Sequence, residues 1–157
     1  MRNYKLENFF IKINRNLNSK KNFYTYYNEK KTYLDCLVFI EKLFYLFSKL
    51  KINKKQNIYI VGDKSFAMYS SIIAILFKNF TWIPISPNIP EKKLLTIIKT
   101  IKPSLIICDQ NQKKIVSTFK KNNSITLFYQ QIYRSKREKL EINNILNKFN
   151  FNKIAFY

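Results

Sequence analysis

From Asn57 onward, short unbroken apolar runs alternate with stretches whose apolar residues recur every three or four positions. Ile58–Val61, Trp82–Ile85, Ser104–Cys108, Ile125–Tyr129 and Ile154–Tyr157 read as strands; Ser65–Lys78, Glu91–Thr100 and Lys113–Lys121 read as helices. Ser65 is placed to cap the first of these helices. Continuous apolar strands separated by helices predict an α/β fold: a mostly parallel sheet with helices on both faces and right-handed crossovers. Upstream, Lys31–Leu50 predicts a helix with Leu34, Leu37, Val38, Glu41, Leu43 and Phe44 along one broad face. Before it, Leu6, Phe9, Phe10 and Ile13 stand at helical spacing and predict an N-terminal helix packed on the body. The charged stretch Arg134–Asn147 reads as a helix or a surface excursion. Phe66–Phe80 is the longest apolar run, but it is too short to cross a bilayer and carries Lys78, so it reads as a buried helix.

The segment Ile75–Pro90, I-L-F-K-N-F-T-W-I-P-I-S-P-N-I-P, is the most specific wording in the chain. Pro84, Pro87 and Pro90 recur every third residue, so no helix runs through, and each missing N–H restricts ladder pairing to the strand's first residues. The segment resembles the second core motif of amino-acid-adenylating enzymes, L-K-A-G-x-A-Y-V-P-I-D-P, within the adenylate-forming (AMP-binding) superfamily. Leu76, Thr81, Trp82, Ile83, Pro84, Ile85, Ser86 and Pro87 fall on that motif without a gap. Asn79 stands where the family has glycine, and asparagine is the next most tolerant residue of positive φ. Ser86 replaces the usual aspartate and keeps an oxygen that can cap the following turn.

The similarity continues on both sides. Thr32-Tyr33-Leu34-Asp35 resembles the family's first motif, T-Y-x-E-L, with Cys36 in place of its leucine. Ile58-Tyr59-Ile60-Val61 resembles the strand before the family's K-S helix, and Lys64-Ser65 occupies the K-S position. Glu91-Lys92-Lys93-Leu94 resembles the P-x-E-R-L helix start, and Ile101–Asp109 resembles the strand that follows it. The resemblance implies the incomplete first subdomain of an adenylate-forming enzyme, closest in wording to amino-acid adenylation domains and D-alanine–carrier-protein ligases. On that expectation residues 1–31 form a helical, polar N-terminal segment and residues 32–157 a partial AMP-binding domain. The family's phosphate loop, T-S-G-S-T-G-x-P-K-G, would follow directly after Lys153-Ile154-Ala155-Phe156-Tyr157. Its backbone N–H groups and lysine would cradle ATP phosphates.

The parent enzyme is therefore expected to be a ligase that uses ATP and Mg²⁺ to activate a small carboxylate, an amino acid, as an acyl-adenylate. Its partner would be a carrier protein or coenzyme A, whose thiol accepts the acyl group. The fragment itself is expected to be inactive, with no catalytic, cofactor-binding or metal-binding residue within it.

Composition changes this picture little. The chain has 157 residues, 46% of them hydrophobic, which suits one domain with a core. A net charge of +20 would ordinarily suggest nucleic acid or an anionic surface, and a non-catalytic basic binding protein is the alternative reading. Yet Lys, Asn, Ile, Phe and Tyr are abundant while Gly occurs once, which is the residue set of A/T-rich codons. The aromatic run Asn22-Phe23-Tyr24-Thr25-Tyr26-Tyr27 could stack on bases but reads more simply as half-buried surface. No RNP-type motif, zinc finger or basic heptad points to a specific nucleic acid, and no segment reads as a membrane span.

Cys36 and Cys108 lie far apart, and there is no histidine, which argues against zinc or Cys–His catalysis. Two such cysteines without a signal peptide favour a reducing cytoplasm. Val61-Gly62-Asp63-Lys64-Ser65 is a strand–turn–helix with too few glycines for a Walker loop, so it reads as a structural turn. Asp63 and Asp109 are the acidic residues at strand ends, where ligands gather in parallel sheets, but unlinked aspartates there are more often turn formers.

Overall fold

The computed structural model describes residues 8, 11–13, 15–52, 56–121 and 124–139. Leu6, Phe9, Phe10 and the strand expected at Ile154–Tyr157 lie outside them. Of the expected N-terminal helix, residues 11–13 and 15–16 are helical and Ile13 is buried in the core.

The first departure from expectation is a hairpin. β1 (Asn22–Tyr26) pairs antiparallel with β2 (Glu29–Thr32), in a stretch where the sequence pattern predicted no strand. Its aromatic and β-branched residues suit a half-buried pleated surface. The two-residue loop has no glycine; Tyr27 takes the positive φ of 48° instead, so the usual turn signal is missing. Phe23 anchors the hairpin, its ring edge-on to Tyr33 and Phe66 at 5.2 and 6.0 Å.

α1 (Tyr33–Lys49) starts at a capping box. The Asp35 N–H donates to Thr32 Oγ1 at 3.1 Å, and the Thr32 N–H donates to Asp35 Oδ2 at 2.7 Å. The Thr32 backbone N–H, then the Thr32 hydroxyl, hold the Asp35 carboxyl below its usual range. We expect Thr32→Ala to lower stability by about 1 kcal/mol in urea unfolding at neutral pH. Because the folded carboxyl is depressed, its contribution is present above the unfolded value near 4 and is lost as pH falls through the folded one. The gap between wild type and Asp35→Asn should therefore shrink as the solution is acidified.

The sheet has the order β4-β3-β5-β6 and is parallel throughout: β3 (Asn57–Val61), β4 (Thr81–Ile85), β5 (Leu105–Cys108), β6 (Ile125–Phe128). The strands follow the predicted segments, with Ser104 left outside and Tyr129 moved into the next helix. The helices are α2 (Phe66–Phe77), α3 (Glu91–Thr100), α4 (Lys113–Lys120) and α5 (Tyr129–Arg134). Ser65 caps α2 as expected, accepting from the Met68 N–H at 3.2 Å, and Asn79 takes the positive φ of 54° just past its C-terminus. β4 ends at Ile85 as expected, and its pairing with β3 continues past Pro84 rather than stopping at the first residues, because it is an edge strand where a missing N–H is tolerated.

The step β3→β4 runs in one direction along the sheet and β4→β5 in the other, so right-handed crossovers put α2 and α3 on opposite faces. Two cores result. Ile58, Ile60, Leu105, Ile107 and Leu127 face α1 and α2; Tyr59, Val61, Ile106 and Cys108 face α3 and α4. In α1, Leu37, Glu41, Leu43 and Phe44 are buried as the pattern implied, whereas Leu34 and Val38 are half-buried. Glu41 meets Arg137 in an ion pair, which holds residues beyond α5 against α1. Those residues, 135–139, are not helical, and the remainder of the stretch expected as a helix or surface excursion, 140–147, lies outside the described residues.

Candidate site at the carboxyl end of the sheet

Parallel sheets hold ligands at the carboxyl ends of strands whose connections leave for opposite faces. β3 and β5 are such a pair, since β3 leads to α2 on one face and β5 to α4 on the other. Val61, Cys108 and Phe128 form the last paired row across β3, β5 and β6. Gly62, Asp109 and Tyr129 each come one residue later, so three strand ends deliver them side by side.

The alternation of side chains turns Tyr129 toward the α1/α2 core, where it is 2% exposed. A Cβ at Gly62 would stand in ordinary van der Waals contact with Asp109 and Tyr129. Asp109 Oδ2 lies 3.7 Å and Tyr129 Oη 4.0 Å from where a Cβ would sit. Gly62 has a φ of 151°, a conformation that other residues adopt only with strain. Burial, then the charge of Asp63, pushes the Asp109 carboxyl upward. Burial, then Asp109, Cys108 and Tyr133, pushes the Tyr129 hydroxyl far up, so it stays protonated. That hydroxyl has no hydrogen-bond partner.

A cavity of about 320 Å³ lies at the same end of the sheet, between the loop after β4 and the turn after β5. Pro87, Asn88, Glu91, Asn111, Gln112 and Lys114 are among its walls. Ser86 shapes the loop as expected, accepting from the Asn88 N–H at 3.3 Å. α3 and α4 both start there without a side-chain cap. The mixture of a carboxylate, an ammonium and amides suits a small polar molecule without selecting its charge.

Asp63 and Asp109, expected as unlinked turn formers, follow the neighbouring strands β3 and β5, and the charge of Asp63 adds to the upward push of burial on the Asp109 carboxyl. Gly62, Asp109 and Tyr129 each stand directly after, or at, the end of an apolar strand run, but which strand ends are neighbours is decided by the strand order. The turn Gly62–Lys64 is a plain βα connection between β3 and α2. Among the described residues no group of three His, Cys, Asp or Glu side chains could hold a metal ion. Cys36 and Cys108 are both free and buried. No helix is long and apolar enough to cross a membrane, among the described residues.

No protein-family model matches the sequence, and no curated protein matches it. Solved structures do match the fold. An artificially fused adenylation–PCP di-domain nonribosomal peptide synthetase from Klebsiella oxytoca superposes with a TM-score of 0.68 at 15% identity, over 85% of this chain and 24% of that one. The unliganded O-succinylbenzoate coenzyme A synthetase of Bacillus subtilis gives a TM-score of 0.66 at 10% identity, over 78% and 25%. A luciferase-like enzyme of the mealworm Zophobas morio gives 0.59 at 11% identity, over 73% and 31%. The chain thus has the fold of part of an adenylate-forming enzyme, as its motifs implied, and spans about a quarter of the first two structures' length.

Proposed function

We propose that this chain is the opening part of an ATP-dependent, AMP-forming ligase that activates an amino acid as its acyl-adenylate. The acyl group then passes to a thiol, on a carrier protein or coenzyme A. The observation that carries this reading is the parallel sheet itself. It superposes on adenylating enzymes over most of this chain, and its β4 edge bears the T-W-I-P-I-S-P wording of amino-acid adenylation domains. Residues 32–157 are the partial adenylation domain, preceded by a segment, 1–31, that contributes most of the hairpin. Both cysteines are unpaired and buried, which suits a reducing cytoplasm.

The single glycine, Gly62, makes no phosphate cradle. This chain supplies scaffold and leaves the chemistry to other residues of the enzyme. Its net charge of +20 favours weak attraction of ATP, which is also what the alternative of a basic, non-catalytic binding protein rests on. Salt separates the two, since exposed charges are screened beyond about 10 Å at roughly 0.1 M ionic strength.

The test is amino-acid-dependent ATP–pyrophosphate exchange on the purified chain, together with the gene's reading frame beyond the Tyr157 codon. We expect exchange at background and a T-S-G-rich loop encoded next. Exchange that survives high salt would place a catalytic site among residues assigned here to scaffold. A stop codon in that position would overturn the ligase reading.

A further inference from the structure

We propose that the β1–β2 hairpin binds single-stranded nucleic acid without sequence preference, its bases stacking on a run of tyrosine rings and its phosphates meeting the lysines beside them. The inference goes beyond the ligase reading and does not rest on it. The expectation of a half-buried aromatic surface holds for Phe23 and Tyr24 but fails for the rings that follow. Tyr26 is 55% exposed, and Tyr27, in the turn, 85%. Tyr69 on α2, 37% exposed, extends the run onto the body of the protein. The ring centroids from Tyr69 to Tyr24, Tyr24 to Tyr26 and Tyr26 to Tyr27 are 6.1, 6.4 and 4.5 Å apart, so four rings form one connected row. Tyr24 is pinned inside it: its hydroxyl donates to the Lys64 carbonyl at 3.4 Å, and its ring lies 6.2 Å from Phe66. A single exposed aromatic side chain needs no explanation, but a connected row on one hairpin marks an interaction surface.

The chemistry around the row selects the partner. Lys20 and Lys21 just before β1, Lys30 on β2, and Lys64 beside Tyr24 are all exposed. The hairpin's one carboxylate, Glu29, stands across from Tyr26 with Lys31 Nζ 4.0 Å away. Flat apolar faces ringed by positive charge complement a polyanion that itself carries flat apolar faces, which is a nucleic acid. Lysines are spread over a chain of net charge +20, so charge alone would draw any polyanion; the rings add what only a base can use. A duplex keeps its base faces stacked inside, whereas a single strand can turn them onto the tyrosines. An anionic membrane fits less well. Interfacial insertion relies on Trp, Phe or Leu, and the exposed rings here all carry hydroxyls, with no exposed Trp, Phe or Leu on the hairpin.

Fluorescence anisotropy of the purified chain with short labelled oligothymidylate and oligouridylate, each against an abasic strand of equal length, tests this. The two bases distinguish DNA from RNA as the source of the strand. We expect at least one to bind about tenfold or more tighter than the abasic strand, with the difference persisting above roughly 0.1 M salt, where the abasic strand is released. The variant Tyr26→Thr/Tyr27→Asn keeps a strand former in β1 and a residue tolerant of positive φ in the turn, so it should unfold in urea as wild type does. It should lose about tenfold in affinity for the base-bearing strand and leave abasic binding unchanged. Lys21→Gln/Lys30→Gln should instead weaken both strands alike and flatten the salt dependence. Equal affinity for abasic and base-bearing strands would overturn the proposal, as would tighter binding of a duplex. Unchanged affinity in Tyr26→Thr/Tyr27→Asn, with its urea transition intact, would do the same. Binding to phosphatidylserine vesicles that depends on Tyr26 and Tyr27, without such dependence for the oligonucleotides, would assign the hairpin to a membrane surface instead.

Discussion

Phe119→Ala is expected to destabilise the protein by about 3–5 kcal/mol, enough to consume a large share of the 5–15 kcal/mol typical of a folded domain. Phe119 is fully buried, and its ring meets Tyr59 edge-on at 5.4 Å and 65°. Tyr59 belongs to the central strand β3, and its hydroxyl donates to the Ile101 carbonyl at the end of α3. Phe119 thus ties α4, through one aromatic pair, to the middle of the sheet and the neighbouring helix. α4 is only eight residues long, with Ile115 and Val116 as its other buried apolar side chains. A helix this short draws its stability from packing rather than propensity, so losing the ring should loosen all of α4. Urea unfolding measures the loss, with Leu95→Ala on the exposed side of α3 as a control expected within about 0.5 kcal/mol of wild type. A cost for Phe119→Ala near the control's would mean that the α3/α4 layer is not packed as described.

The contrast between what was and was not legible follows the same physics. β3 and β5 could be read from the chain because they bury continuous apolar runs, and β4, α2 and α3 because their buried apolar residues fall at strand or helix spacing. Pro90 and Asn79 mark boundaries for the same reason: one lacks an N–H, the other accepts positive φ. The β1–β2 hairpin left no such trace. Only Phe23, Tyr24 and part of β2 are covered, and the turn is made by Tyr27 rather than glycine. The site at the sheet end was invisible for a further reason. Strand order decides which strand ends are neighbours, and Gly62, Asp109 and Tyr129 meet only because β5 lies between β3 and β6. Local pattern carries no information about that order. Asp63 and Asp109 therefore looked like two isolated turn residues until the topology joined them.

Neither cysteine is expected to react with a thiol reagent in the native protein, and each should report on a different layer. Cys36 sits on α1 in the core between α1, α2 and the sheet; Cys108 ends β5 in the core beneath α3 and α4. Both are fully buried. Burial pushes the Cys36 thiol up to about 12, with the charge of Asp35 adding to it. Burial, then Asp109, pushes Cys108 up to about 12 as well. From an ordinary value of 9.0, that shift leaves roughly a thousandfold fewer thiolates at pH 8, before access is considered. The sign for stability follows from the raised value. Below pH 9 the thiols are neutral in both states and cost nothing; as pH rises toward 12 only the unfolded chain ionises, so stability falls. Labelling at pH 8 should then proceed only through opening, measured by mass spectrometry of each cysteine peptide over time. In wild type we expect both sites to label slowly. In Phe119→Ala, loosening of α4 uncovers the Cys108 face of the sheet while α1 and α2 still cover the other, so Cys108 should accelerate more than Cys36. Equal acceleration would show the two layers opening as one unit, and rapid labelling of either residue in wild type would contradict its burial.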